Sequence, residues 1–495
     1  MTDINKRLVE RHILLMFFFL YIISAKGYIE VADTLFSVQT AESIVSNGRL
    51  DIPFEANSTL KGVGGLSYSK YGIGLALYYI PIVLTANYVS WATGLPTTHL
   101  TGFLISFANI PFALLTLHLF GKTLQLLEIS WKISMLLVIA LGSATLCWKY
   151  AVYDFSEAMQ ASLLLLSYNC VLVDTKRSIL LGGLGLGGLI LVKLVHVVFL
   201  PVFLLYILFP KNNKNDSWKH KIYNSILYVL PTLPILAFLA CLNSIRFGSP
   251  FESGYGQEAS QFIFAQVWWT IPNLICSLDK GLFLYCPALA LGLFGWVSLI
   301  RKHPLPGALC SAIVAINLLL AAAWHSWVGG WSWGPRLLVP TIPFWLIPVA
   351  FWLENKRYSI KIVAIASFVI ALSFIFQIPG ILVKDQQIHH IKQISLRSAD
   401  RKHTYSDYTM AWVLLIHKLH SDEVYHVTEF GVPDNRKVDL SAFQSYQGFN
   451  IWTEHLSRNL NRPVIRWLPI MPIFAMAVLL TRLTKIYNQP INLTD

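Results

Sequence analysis

"SILLGGLGLGGLILVKLVHVVFLPVFLLYILF" (residues 178–209) is the stretch whose reading decides the topology. It is 32 residues long. An α-helix rises about 1.5 Å per residue, so about 20 residues cross the hydrocarbon core of a bilayer. The run is long for one crossing and long enough for two short ones. Lys193 and His196 interrupt it where a turn between two such helices would fall. Charge arbitrates, because Lys and Arg concentrate in cytoplasmic loops. Lys176 and Arg177 precede the run, and "KNNKNDSWKHK" (211–221) follows it. A single crossing would put those clusters on opposite sides, whereas a pair of short helices keeps both inside.

The rest of the chain supports a membrane reading. Its 495 residues are 55% hydrophobic and only 13% charged, with a mean hydropathy of +0.55. That excludes an ordinary soluble enzyme. Apolar runs recur at 11–27, 72–92, 100–121, 133–148, 156–173, 178–209, 222–243, 282–300, 307–323, 337–353, 360–378 and 464–481. They are continuous rather than alternating, which predicts an all-α polytopic membrane protein and not a barrel. The charge rule also constrains 72–92: if it crossed, the Lys122–Lys132 loop would fall outside. It is therefore expected to lie on, or partly in, the membrane. The prediction is about 12 spans with both termini inside. The first run lacks a small-residue cleavage site and reads as a retained span.

The net charge of +12 then belongs to cytoplasmic loops, and no basic patch with interleaved aromatics suggests nucleic acid. The six cysteines have no metal-type spacing and read as small apolar residues of the spans. Three segments are expected. Residues 1–379 form a transmembrane catalytic module with a first outer loop at 28–71 and juxtamembrane helices at 34–46 and 72–92. Residues 380–463 form a non-cytoplasmic hydrophilic segment with 10 basic and 9 acidic residues. Residues 464–495 form the last span and a cytoplasmic tail. No internal repeat is visible.

The polar motifs gather on the non-cytoplasmic face. Glu30 and Asp33 follow the first span. They suit a base meeting the head of a lipid-borne substrate, or Asp33 is the N-cap of helix 34–46. Asp154 and Glu157 in "YDFSE" suit an acid/base or cation site, or form a capping box. Lys193 and His196 either bind a lipid phosphate or snorkel at a turn. Arg246 and Lys280 bracket a loop rich in Gly and Tyr, including Tyr255, which otherwise reads as an interfacial aromatic belt. "WVGGWSWGPRLLVP" (327–340) sets Trp331 and Trp333 as planes for a sugar ring and Arg336 as a phosphate clamp.

These motifs, in this order, resemble the integral-membrane glycosyltransferases of the GT-C superfamily. The resemblance is carried by the carboxylate after the first span, "NGRLDI", "YSKYGIGLALYYIP", "YDFSE", "IRFGSPFESGYG", "DKGLFLYCP", "GGWSWGPRLLVPTIPF" and "GFNIWTEHLSRNLNR". Protein O-mannosyltransferases and the aminoarabinose transferases of lipid A are members. The resemblance implies a GT-C-like bundle with two juxtamembrane helices after the first span, and a polyprenyl-phosphate sugar donor. It implies Asp33 as base with Glu30 beside it, and Lys70, next to Tyr71, as a phosphate contact. Lys193, His196, Arg246, Lys280 and Arg336 complete the expected donor-phosphate set. Tyr71, Asp154, Glu157, Tyr255, Trp331 and Trp333 are the expected sugar or acceptor contacts.

No cofactor is required. If a divalent cation (Mg2+ or Mn2+) binds, Asp33, Asp154 and Glu157 are the expected ligands. The expected acceptor is a glycan, lipid or protein, and a monomer among membrane lipids is compatible with the sequence, which does not fix the oligomeric state. The expected location is the inner (plasma) membrane, with the site facing the periplasm or cell exterior. Two other readings share these features: a transporter or flippase of a lipid-linked glycan, and a polysaccharide polymerase or ligase.

Overall fold

The computed structural model describes residues 3–53, 59–209, 217–356, 359–396, 406–420, 424–426, 437–439, 448–460 and 462–487. Much of the expected hydrophilic segment 380–463, and part of the basic stretch 211–221, lie outside those residues.

In chain order the helices are α1 (Asp3–Ser24), α2 (Ala32–Asn47), α3 (Ile73–Thr93), α4 (Thr97–Ile105), α5 (Ile110–Leu126), α6 (Trp131–Ser143), α7 (Leu146–Ala151) and α8 (Glu157–Val173). Next come α9 (Lys176–Val192), α10 (Phe199–Leu208), α11 (Trp218–Val229), α12 (Thr232–Phe247), α13 (Val267–Cys276), α14 (Leu282–Tyr285), α15 (Pro287–Ala290) and α16 (Trp296–Lys302). Then follow α17 (Pro304–Ala323), α18 (Ile342–Lys356), α19 (Ile360–Leu382), α20 (Asp385–Leu396), α21 (Asp407–Leu419), α22 (Trp452–Asn459) and α23 (Ile470–Tyr487). Strands are short: Thr59–Lys61 pairs antiparallel with Ser67–Ser69 in the first outer loop, and Val424–His426 with Lys437–Asp439.

Contacts sort the loops into two ends. At one end Glu10 pairs with His118 and Lys122, Lys302 pairs with Glu128, and Ser130 N–H donates to Glu354. At the other, Asn109 donates to the carbonyls of Tyr153 and Phe155 (2.6 Å each), and Tyr150 donates to that of Trp333. The chain passes between these ends in α1, α5, α6, α8, α9, α10, α11 with α12, the broken run 282–302, α17, α18, α19 and α23. That is about 12 passages among the described residues, with the basic clusters at one end and the polar motifs at the other. By length and composition alone, seven helices are long and apolar enough to cross a membrane. The remaining passages are shorter or broken. Helix α18 is buried over residues 342–351 and forms the centre of the bundle.

The deciding run behaves as a hairpin. Helix α9 ends at Lys193, which is extended (φ −153°), and a 3-10 turn over Leu194–Val198 leads into α10. Gly182 of α9 sits beside Tyr228, and Gly187 beside Thr232 and Ile235, so α9 runs alongside α11 and α12 in the same direction. Asn224 approaches Asp174 at the far end. The chain must therefore have returned through α10 before α11 begins.

Residues 25 and 109 lie at the same end, so the chain between them makes an even number of crossings. Helix α3 packs beside α2 through Val38, Ala41, Leu75, Tyr79 and Val83. It is nevertheless one of the seven helices with enough apolar length to cross.

Candidate functional site

A cavity of about 350 Å³ opens at the end where α1 finishes. Its wall brings together Asp33, Lys70, Tyr71, Glu157, Lys193, Arg246, Tyr255 and Arg336 from distant parts of the sequence, along with Asn243, Glu258, Trp324 and His325. Glycines make this convergence possible. A Cβ on Gly72 would lie 2.2 Å from the Val192 carbonyl, and one on Gly74 would lie 2.9 Å from the Leu191 backbone. The start of α3 can thus abut the end of α9, beside Lys193. Gly329 (φ +74°) and Gly330 (φ +69°) take left-handed conformations in the turn that delivers Arg336.

Asp33 is in the first turn of α2. It is not the N-cap: Val31 holds that position, without a side-chain hydrogen bond. The Asp33 carboxylate instead accepts from Arg336 Nη1 at 3.1 Å. Arg336 Nε lies 3.7 Å from Glu157, and its guanidinium covers the Phe155 ring at 4.0 Å. Lys70 is bound by both carboxylate oxygens of Glu258 (2.8 and 3.1 Å). Arg246 donates to Ser69 O and Asn243 Oδ1, and its Nε has no hydrogen-bond partner among the described residues. Neither Arg246 nor Lys193 forms a salt bridge among the described residues.

Six expected residues do not line the cavity. Glu30 is buried behind it in an ion pair with Lys26. Asp154 is also behind, its carboxylate accepting from Glu30 N–H (3.2 Å) and Val31 N–H (3.1 Å), while its carbonyl accepts from Thr34 Oγ1. The capping-box reading fails too, because α8 is capped by Ser156 without a side-chain bond. His196 is bonded to Gln160 (2.7 Å) and stacked on Phe199. Lys280 donates to Ser332 O and pairs with Asp407. Trp333 is buried against Tyr285 and Tyr408, and Trp331 stacks on His389 at the surface.

The proposed metal ligands are likewise not assembled. Asp33 and Glu157 share a guanidinium, Asp154 faces the backbone of residues 30–31, and no group of three His, Cys, Asp or Glu side chains among the described residues is arranged to hold a metal.

The buried charges behind the site perturb one another. Burial, the largest single effect, acts to raise the Glu30 carboxyl, and the Lys26, Lys149 and Lys384 ammonium groups together outweigh it, holding it down to about 2. Burial pushes Asp154 up to about 7, opposed by Lys26 and reinforced by Glu30. Lys26, Lys149, Glu258 and Asp385 were missed at the sequence level. The first two carried a usable signal, since each is a lone cation at the end of an apolar run. Glu258 carried none.

With the bundle and its one-ended polar cavity in place, the class is a polytopic all-α membrane protein. No protein-family model and no curated protein sequence matches the chain. Among solved structures it is similar to the oligosaccharyltransferase of Archaeoglobus fulgidus in the apo form, with a TM-score of 0.51 and 10% identity over 80% of this chain. It spans 59% of that protein's length. ArnT of Cupriavidus metallidurans in the apo state aligns over 96% of this chain and 75% of its own, at 12% identity and a TM-score of 0.47. AglB of Archaeoglobus fulgidus, in complex with an inhibitory peptide and a dolichol-phosphate, aligns over 81% and 59% at 10% identity and a TM-score of 0.46.

Proposed function

We propose that this protein is a glycosyltransferase that moves a sugar, with inversion, from a polyprenyl-phosphate donor to a hydroxyl of a glycan, lipid or protein acceptor. One observation carries this reading. The carboxylate of Asp33 shares a single chamber with Lys193 and Arg246, two cations not neutralised by a salt bridge among the described residues. The whole wall carries Lys70, Lys193, Arg246 and Arg336 against Asp33, Glu157 and Glu258. That leaves one positive charge over, which suits a phosphodiester.

Asp33 accepts the proton of the acceptor hydroxyl, whose oxygen attacks the anomeric carbon from the face opposite the phosphate. The bond from that carbon to the phosphate oxygen breaks, and its electron pair stays on the leaving polyprenyl phosphate. Lys193 and Arg246 stabilise the charge that develops there, as fixed cations near a departing anion do. Arg336 holds Asp33 in place. A Mg2+ or Mn2+ ion would have to displace Arg336 from between Asp33 and Glu157, and the reaction as drawn needs none. In this reading α2 and α3 lie along the outer boundary of the bilayer of the inner membrane, and the cavity faces away from the cytoplasm.

The test uses the purified full chain with a panel of polyprenyl-phosphate glycosides, measuring release of polyprenyl phosphate. Asp33→Asn is expected to lower turnover by about 10²- to 10⁴-fold, the usual contribution of a general base. Wild-type-like turnover would remove Asp33 as base. Movement of intact donor across proteoliposomes without bond formation would favour the transporter.

A further inference from the structure

The loop that leads into the helix turn bearing Asp33 is gripped from behind by charges that never reach the cavity. Lys26 and Glu30 are a buried ion pair. Lys26 Nζ and Lys149 Nζ lie 3.4 and 4.4 Å from the centroid of the same ring, Tyr153. Lys149, fully buried, donates to the Gly380 carbonyl at 2.6 Å and pairs with Asp385 at 3.2 Å. Gln386 donates to the Glu30 carbonyl at 3.0 Å. Asp154 then receives the N–H groups of Glu30 and Val31, and Asp33 follows two residues later. An unbroken series of buried contacts therefore runs from the α19–α20 junction to the first turn of α2.

Stability does not account for this arrangement. Buried ion pairs are often no more stabilising than apolar residues of the same volume, because desolvation offsets their attraction. What they add is directional: each contact fixes an angle as well as a distance. Concentrating four such residues behind one loop restricts where that loop can sit.

We propose that Asp385–Lys149, Lys26–Glu30 and Asp154 form a positioning device for Asp33. Through it the start of the hydrophilic segment sets the geometry of a site whose wall it does not line. This rests on the role given to Asp33 above.

The experiment replaces the Asp385–Lys149 pair with apolar residues of similar size, Asp385→Leu with Lys149→Met, in the full-length purified protein. Folding is followed by thermal unfolding. The expected result is a kcat lowered at least 10-fold, a donor KM within about 2-fold of wild type, and a melting temperature unchanged or raised. Asp385→Asn alone should lie between the two.

A second arm does not depend on turnover. Asp33→Cys is alkylated with a small charged thiol reagent in the wild-type and apolar-pair backgrounds, and the rate should differ at least 5-fold. Equal alkylation rates, or an unchanged kcat in the folded double variant, would overturn the proposal. A raised KM with unchanged kcat would overturn it too, by making the segment a substrate-binding element. If the wild type transfers no sugar from any donor while the alkylation rates still differ, the assigned reaction fails and the positioning stands.

Discussion

Arg336 does two things for Asp33: it supplies a hydrogen bond at 3.1 Å and, through Glu157 and Phe155, a fixed direction for that bond. A lysine would keep the charge and lose the planar fork. A hydrogen bond to a charged group contributes about 1.5–3 kcal/mol, so Arg336→Lys should lower kcat/KM about 10- to 100-fold, measured with the best donor of the panel. Arg246 forms no salt bridge with an acid among the described residues. Arg246→Gln should therefore act mainly on donor KM, raising it by about 10-fold.

Behind the site, Asp154 and Glu30 predict opposite pH effects on stability. Asp154 titrates at about 7 when folded, above the ordinary value of about 3.9. The folded state holds an extra proton between these values, so its stability falls as pH rises from about 4 to about 7. Glu30 titrates at about 2 when folded, below the ordinary value of about 4.3, so its contribution is present above that value and disappears as pH falls towards 2. The difference in melting temperature between Asp154→Asn and wild type should therefore shift in the variant's favour as pH rises from about 4 to about 7. An unchanged pH profile in that variant would show that Asp154 does not titrate in this window. Neither role was legible in the sequence. The spacing of Asp154 and Glu157 also fits a capping box, and only tertiary contact with residues 30–31 separates the two.

Among the elements, the α9–α10 hairpin was the most legible, because a lysine in an apolar run is costly wherever the run is continuous and cheap at a turn. The helix after the first span was also legible, though it begins two residues earlier than its pattern suggested, at Ala32. The glycines of "YGIG" were noticed only as part of a motif. Their reason lies in another element: they leave room for the backbone of residues 191–192. A Gly72→Ala side chain would sit 2.2 Å from a carbonyl oxygen that cannot swing away. Helix α3 should then shift from α9, at a cost of about 1–3 kcal/mol, as for other overpacked positions. Thermal unfolding would register the cost. Donor KM should rise alongside it, because Lys193 caps the displaced end of α9.

For the whole molecule, the charge rule read from loops and the contacts read from structure agree on which motifs share an end. Which end faces the cytoplasm is a separate question with a chemical consequence. A donor carried on a lipid phosphate is needed where soluble nucleotide sugars are not supplied, so an outward cavity is part of the proposed function. Native thiols allow a direct test. Cys276 is exposed in α13 at the cavity end, whose neighbour Thr270 bonds to Ala322 at the end of α17. Cys241 is exposed on α12 within an apolar span. A charged maleimide enters lipid poorly and so seldom reaches a thiol surrounded by it. Cys276 should therefore be the principal site labelled when the reagent is added to intact cells, and Cys276→Ser should abolish most of the signal. In that background Lys176→Cys, at the opposite end, should label only after permeabilisation. The reverse pattern would turn the cavity to the cytoplasm, where a nucleotide-activated donor could reach it, and would remove the reason for a lipid-linked one.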